Sequence, residues 1–174
     1  MKKFNDKVVV LTGAGSGIGR ALALNLAKEG ARLALSDINR AALEETLGLL
    51  PSGHKARAYT VDVSSREEML AHADKVQRDF GVVHMVINHA GAPIVGTFEH
   101  PTIEEIEWQL NVNLWGVIYG TKAFLPGLLA HREGVIVNIS SIFGFMTFPG
   151  QSAYNIAKFG VKAVVAINHF PTDS

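Results

Sequence analysis

The feature that constrains this chain most is an alternation of short aliphatic runs with longer amphipathic stretches. KVVVLT at 7–12, RLALS at 32–36 and VIVNIS at 135–140 are strand-length and largely apolar. Residues 83–88 make another such run, and the more polar residues 56–61 a weaker one. Helical patterns lie between them. Ile18, Leu22 and Leu26 recur at helical spacing over 18–29, and Gly30 supplies a stop. Residues 40–50 read as a second helix ended by Pro51. Ser64 followed by Glu67 predicts a capping box that opens a helix to about residue 80. Thr102 with Glu105 predicts another, on a long helix to about residue 130 whose last turns Pro126 bends. Ser152 begins a final helix that stops before Pro171. Near-continuous Val/Ile/Leu strands with helices between them imply a parallel sheet covered on both faces. Right-handed crossovers then yield an α/β fold, a doubly wound parallel sheet of strand order 3-2-1-4-5. Its reversal point lies between the first and fourth strands, and ligands bind there, beyond the carboxyl ends of the strands.

The 174 residues fit one domain, 1–174, and at 48% hydrophobic they can fill a large core. Lys plus Arg equals Asp plus Glu at 16 each, so no basic field points to nucleic acid or to a membrane surface. No run reaches the roughly 18 apolar residues of a membrane span. The VVVL near the start is strand-sized rather than the apolar centre of a leader peptide. Cysteine is absent, which removes disulfides, thiolate metal sites and a cysteine nucleophile. His84, His89, His100 and His131 are scattered without ligand spacing, so no metal site is expected. A cytoplasmic protein acting on small molecules is the expectation.

Several stretches fall where the crevice should be. TGAGSGIG at 12–19 follows one strand and opens one helix. Gly13 permits a tight turn, Gly17 lets a pyrophosphate approach backbone N–H groups, and Gly19 lets helix and strand pack closely. A plain strand-to-helix turn is the other reading. Asp37 ends the second strand, where a carboxylate can accept hydrogen bonds from both hydroxyls of an adenosine ribose. It also repels a 2′-phosphate, favouring NAD over NADP. The alternative is an aspartate capping the next helix, and Arg40 nearby weakens the NAD preference. Asp62 and Val63 end the third strand, at an adenine position or a helix-entry turn. In NHAG at 88–91, small Ala90 and Gly91 let backbone approach a ribose, whereas Asn88 can serve neighbouring strand backbone.

Ser141 is followed thirteen residues later by Tyr154, and four beyond that by Lys158. On a helix, Tyr154 and Lys158 share a face one turn apart. An ammonium beside a phenol stabilises the phenolate, and the pair can move a proton. Ser141 supplies a hydroxyl to hold the oxygen concerned. Y-x-x-x-K recurs by chance in helices, so the pair alone decides nothing. Asn113 is a poor interior helix residue. Either it breaks the helix and holds a water beside Lys158, or it bonds a backbone carbonyl. Trp108 and Trp115 pack or line an interface. Phe143, Phe145, Met146 and Phe148 line a pocket wall or join the core.

Together TGAGSGIG, Asp37, Asp62, NHAG, Asn113, Ser141 and YNIAK, in this order over residues 5 to about 162, resemble the short-chain dehydrogenase/reductase family with its Rossmann-like core. The resemblance implies a catalytic tetrad of Asn113, Ser141, Tyr154 and Lys158. Tyr154 would exchange the substrate-oxygen proton, and Lys158 would assist it and bind the nicotinamide ribose. Ser141 would fix the carbonyl or alcohol, and Asn113 would support a water relay. Implied cofactor contacts come from Gly13, Ser16, Gly17, Ile18 and Gly19, from Asp37 and Ile38, and from Asp62 and Val63. Asn88, Ala90 and Gly91 join them, with Tyr154 and Lys158. The implied reaction is hydride transfer between NAD, rather than NADP, and a secondary alcohol or ketone. His89 departs from the asparagine more usual in NNAG. Family members continue past the lysine into further strands, a loop at the nicotinamide amide and a helical lid, whereas this sequence ends sixteen residues after Lys158. The domain is therefore expected to be incomplete at its C-terminus. Its fifth strand would be an open apolar edge inviting a homodimer or higher homo-oligomer, and its substrate site would lack a wall. A non-catalytic dinucleotide-binding or assembly protein is the rival expectation.

Overall fold

The computed structural model describes residues 4–167. Its strands are β1 (Val8–Thr12), β2 (Arg32–Asp37), β3 (Ala56–Thr60), β4 (Met85–Asn88) and β5 (Val135–Asn138). All pair in parallel, in the order β3-β2-β1-β4-β5. The helices are α1 (Gly17–Lys28), α2 (Arg40–Gly48), α3 (Arg66–Phe80), α4 (Ile103–Leu110), α5 (Gly116–His131) and α6 (Ser152–Ile167).

The central strand shows why the sheet is covered twice. Alternate residues of a strand face opposite sides, and every residue of β1 is buried. Val9 and Leu11 pack into one layer with Ala23 and Leu26 of α1 and Leu43 of α2. Val8 and Val10 pack into the other with Val76 and Phe80 of α3 and Phe124 and Leu128 of α5. α5 approaches β4 so closely that a Cβ on Gly120 would lie within bonding distance of the Asn88 amide oxygen. Only glycine fits there, so α5 is held at a fixed height over the strand whose end carries NHAG.

Four local expectations are corrected. The cap of α3 is Ser65, not Ser64: its side chain accepts the N–H of Glu68 at 3.2 Å. Ser64 is held back by Asp62, whose Oδ1 accepts both its N–H and its hydroxyl, at 2.8 and 2.7 Å. The turn therefore runs one residue longer, and the Glu68 carboxylate reaches the N–H of Asp62 instead of closing a box. The long helix is two helices. Thr102 and Glu105 do form the expected capping box, but a π-helical turn over Asn111–Trp115 separates α4 from α5. β5 stops at Asn138, two residues early, because the next two residues serve α6. The Ile139 carbonyl accepts the Lys158 ammonium at 3.0 Å, and the Ser140 hydroxyl donates to the Lys158 carbonyl at 2.9 Å. The aromatic residues after Ser141 do not join the core: Phe145, Met146 and Phe148 are exposed. The expected stop of α6 near Pro171 lies outside the described residues.

Candidate active site

The glycine turn leaves β1 with Gly13 at φ +70°, a conformation that favours glycine. Its backbone is tied down from behind. Thr46 donates to the Ala14 carbonyl at 3.0 Å, and Arg20 to the Gly15 carbonyl at 2.6 Å. The carbonyls are thus turned toward α1 and α2, and α1 opens without a side-chain cap. The first N–H groups of an uncapped helix have no internal partner and carry its positive dipole end. A Cβ on Gly17 would meet nothing within 4 Å, whereas one on Gly19 would sit 1.9 Å from the Gly13 carbonyl oxygen. Gly17 therefore faces open space and Gly19 the tightest packing. That combination suits a pyrophosphate laid over the helix N-terminus, so the residues present fit a dinucleotide.

Asp37 stands beside this turn. Its Oδ2 accepts the Gly15 N–H at 2.9 Å and its Oδ1 the Asn39 N–H at 3.0 Å. The cap of α2 is Asn39, which accepts the Ala42 N–H. Asp37 is thus fixed by backbone while still lining the cleft. Arg40 is engaged elsewhere, paired with Glu44 and donating to the Ala58 carbonyl at 3.3 Å.

Thr12 joins the two central strand ends. Its hydroxyl oxygen accepts the N–H groups of His89 and Ala90, each at 3.0 Å. The chain then runs past Gly91 to Ala92, which is held by the π turn. Asn113, fully buried, donates to the Ala92 carbonyl at 2.7 Å and to the Gln109 carbonyl at 2.9 Å, and accepts the Ala92 N–H at 3.2 Å. In an α-helix the Gln109 carbonyl would accept the backbone N–H of residue 113. Here the side-chain amide takes that carbonyl, and the helix widens until the Gly116 N–H bonds Asn111, five residues back. Asn113 does break the helix, and it bonds backbone carbonyls. Of the two sequence readings, the bonded backbone carbonyl is found, alongside the local break in the helix.

Lys158 arrives from α6. Buried at 3% exposure, its ammonium lies 5.5 Å from the Tyr154 ring centroid. Burial pulls its pKa down to about 8. A Cβ on Gly91 would fall 2.7 Å from the Asn113 amide oxygen and 3.7 Å from the Lys158 ammonium. The strand end, the π turn and α6 therefore converge on one glycine. Ser141 caps a short 3₁₀ turn over Ile142–Gly144, its oxygen accepting the Phe143 N–H at 3.2 Å. The Phe143 ring meets the Tyr154 ring edge-on at 6.0 Å.

A cleft of about 560 Å³ runs across the carboxyl ends of the strands. Gly13, Ser16, Gly17, Ile18, Asp37, Ile38, Asp62, Val63, Ala90 and Gly91 line it, as anticipated. Gly19 and Asn88 do not. Gly19 lies behind the turn, and the Asn88 amide is buried, donating to the Asn138 side chain at 2.8 Å rather than to strand backbone. Asn113, Ser141, Tyr154 and Lys158 lie beyond the Gly91 end, outside the lining. Sequence reasoning missed Val61, His89, Ala92 and Val112, and gave Trp108 a role in packing or at an interface; all five line the cleft. The signal available for Val112 and Trp108 was the break at Asn113, which re-aims the residues before it.

The profile describing the short chain dehydrogenases matches residues 7–169. The oxidoreductase SadH of Mycobacterium tuberculosis is 51% identical over 163 residues, covering 93% of this chain and 59% of that protein. Cyclohexanol dehydrogenase of an Acinetobacter strain is 38% identical over 164 residues, covering 93% of this chain and 65% of its own length. A crystal structure of a short chain dehydrogenase/reductase from Burkholderia phymatum in complex with NAD superposes with a TM-score of 0.91. It is 35% identical, over 96% of this chain and 60% of that one. The chain thus spans 59% of the length of SadH and 60% of that crystallised chain.

Proposed function

The chain belongs to the short-chain dehydrogenase family, and we propose that it serves hydride transfer between NAD(H) and a secondary alcohol or ketone. The observation that carries this reading is the meeting at Gly91 of a dinucleotide-shaped cleft with Asn113 and Lys158. When bound, the nicotinamide supplies or accepts the hydride. This chain's own residues bind, orient and move the proton. Tyr154 passes it to or from the substrate oxygen, as a positioned general acid or base. Lys158, cationic below about pH 8, sits over the phenol ring and keeps a positive charge beside the group that moves the proton. Ser141 holds the substrate oxygen, and Asn113 fixes the backbone of Ala92 beside the ribose position. In the cleft Gly13, Ser16, Gly17 and Ile18 take the phosphates, Asp37 and Ile38 the adenosine ribose, and Asp62 and Val63 the adenine. Ala90 and Gly91 take the second ribose, while Gly19 and Asn88 support from behind.

NAD is preferred over NADP in this reading. Asp37 would repel a 2′-phosphate, and Arg40, the cation nearest in sequence, is paired with Glu44. The name of the cyclohexanol dehydrogenase relative supports an alcohol substrate. Among the described residues no helix is long and apolar enough to cross a membrane, and a cytoplasmic, homodimeric protein belongs to the proposal. Fluorescence titration with NADH beside a turnover assay over a panel of ketones tests it. Turnover that disappears in Tyr154→Phe supports hydride transfer. Binding without turnover selects instead a dinucleotide-binding or assembly protein, and tighter binding of NADPH than NADH would overturn the cofactor assignment.

A further inference from the structure

Residues 92–101 form a loop that follows Gly91, and residues 141–151 form a second that leads into the helix carrying Tyr154. They are fastened to one another where the Gly96 N–H bonds the Gly150 carbonyl at 3.0 Å. One wall presents Val95 and Phe98 to solvent, and the other presents Phe145, Met146 and Phe148. Phe143 links the second wall to the chemistry, touching both Phe148 and Tyr154 at 6.0 Å between centroids. Across the two loops Glu99 is the one charged side chain, and neither lysine nor arginine occurs. Of the cations on α6, Lys158 is buried on the Ile139 carbonyl and Lys162 lies 4.1 Å over the face of Phe145. Solvent-facing aromatic walls of this composition reward a hydrocarbon surface that leaves water. They return nothing to an anion that must shed its hydration shell.

Resting on the dehydrogenase reading, we propose that these loops form an apolar substrate mouth. The ketone or alcohol taken here is neutral with a bulky hydrocarbon body, and analogues carrying a carboxylate are refused. Phe143 and Phe148 are the residues that set this preference.

The test uses two ketones on the same ring, 4-tert-butylcyclohexanone and 4-oxocyclohexanecarboxylate, titrated calorimetrically into the chain with saturating NAD⁺, which carries no hydride to reduce them. The neutral ketone is expected to bind at least about tenfold more tightly, the size of discrimination that a hydrophobic pocket achieves between close analogues. Phe148→Lys, at an exposed position, should close that gap by about tenfold while leaving the NADH titration unchanged. Equal or tighter binding of the keto acid, with NADH bound normally, overturns the apolar mouth and leaves the dehydrogenase reading standing. A Phe148→Lys protein with wild-type discrimination likewise overturns it. Failure of NADH to bind at all removes the dehydrogenase reading, and this inference with it.

Discussion

The glycine turn and the loops beside Tyr154 are built on opposite plans. The glycine-turn side is a closed network: Thr46, Arg20 and Thr12 tie its backbone, and Gly13, Gly19 and Gly120 leave no room for a side chain. The loop side has exposed phenylalanines, one inter-loop backbone hydrogen bond and one buried organiser, Asn155. Asn155 donates to the carbonyls of Phe143 and Met146, each at 2.9 Å, and accepts the Phe148 N–H at 3.4 Å. The contrast teaches where stability and selectivity are stored. A dinucleotide brings the same phosphates and riboses whatever the substrate, so the surface proposed to grip it can be rigid and made of backbone. A substrate mouth is made of side chains on loops that a scaffold merely positions.

The sharpest way to separate the two sides is Tyr154→Phe. It should lower turnover by about a thousandfold, within the usual range for losing a general acid or base, while the NADH dissociation constant stays put. A parallel loss of NADH binding would mean that the phenol belongs to the grip rather than to the chemistry.

Acid should act next, and on neither of these regions but on the layer under α3 and α5. His72 of α3 is 1% exposed, between the Tyr59 ring at 4.9 Å and the Phe124 ring at 5.7 Å, with neither ring nitrogen hydrogen-bonded. Burial lowers its pKa from 6.5 to about 4. The unfolded chain therefore binds the proton more readily than the folded one. Stability from this site is complete above pH 6.5 and is lost as pH falls toward 4, by about 3 kcal/mol. Urea melts across that range should show the loss, and His72→Leu should flatten it. An unchanged acid slope in the variant would place the sensitivity elsewhere.

Gly19→Ala forces a methyl against the Gly13 carbonyl and should cost about 1–3 kcal/mol by overpacking. It should lower both the melting temperature and the NADH affinity, because fold and grip are here one structure. Asn155→Ala is the mildest and the opposite in kind. We expect about 1 kcal/mol of lost stability and a raised KM for ketone, with NADH binding intact. Equal damage to NADH binding would show that the two sides are not independent.

Much of this was legible in the residues. The parallel sheet followed from four aliphatic runs and a weaker, more polar one with helices between them, because a strand buried on both faces lacks polar alternation. Gly13, Gly17, Asp37, Asp62, Val63, Ala90 and Gly91, anticipated from their place after a strand, do line the cleft, and so do Ser16, Ile18 and Ile38, which only the family resemblance implied. Placement of the Ser65 cap escaped the sequence because Asp62 competes for Ser64, a contest between two short side chains that spacing cannot score. Trp108 and Val112 escaped because a continuous helix would have aimed them elsewhere.

The sequence by itself determined which segments are strands, which turn lacks side chains, and that a phenol and an amine share one helical face. These are local or periodic properties, settled by sterics and by burial along a single element. Only tertiary structure decided that Gly91 lies between Asn113 and Lys158, that the helix widens at Asn113, and that Phe145 and Phe148 face solvent while Phe143 packs on Tyr154. Each depends on which distant group claims a carbonyl: Asn113 takes that of Gln109, Lys158 that of Ile139 and Asn155 that of Phe143. Such pairings are set when packed elements meet, and no spacing along one chain encodes them.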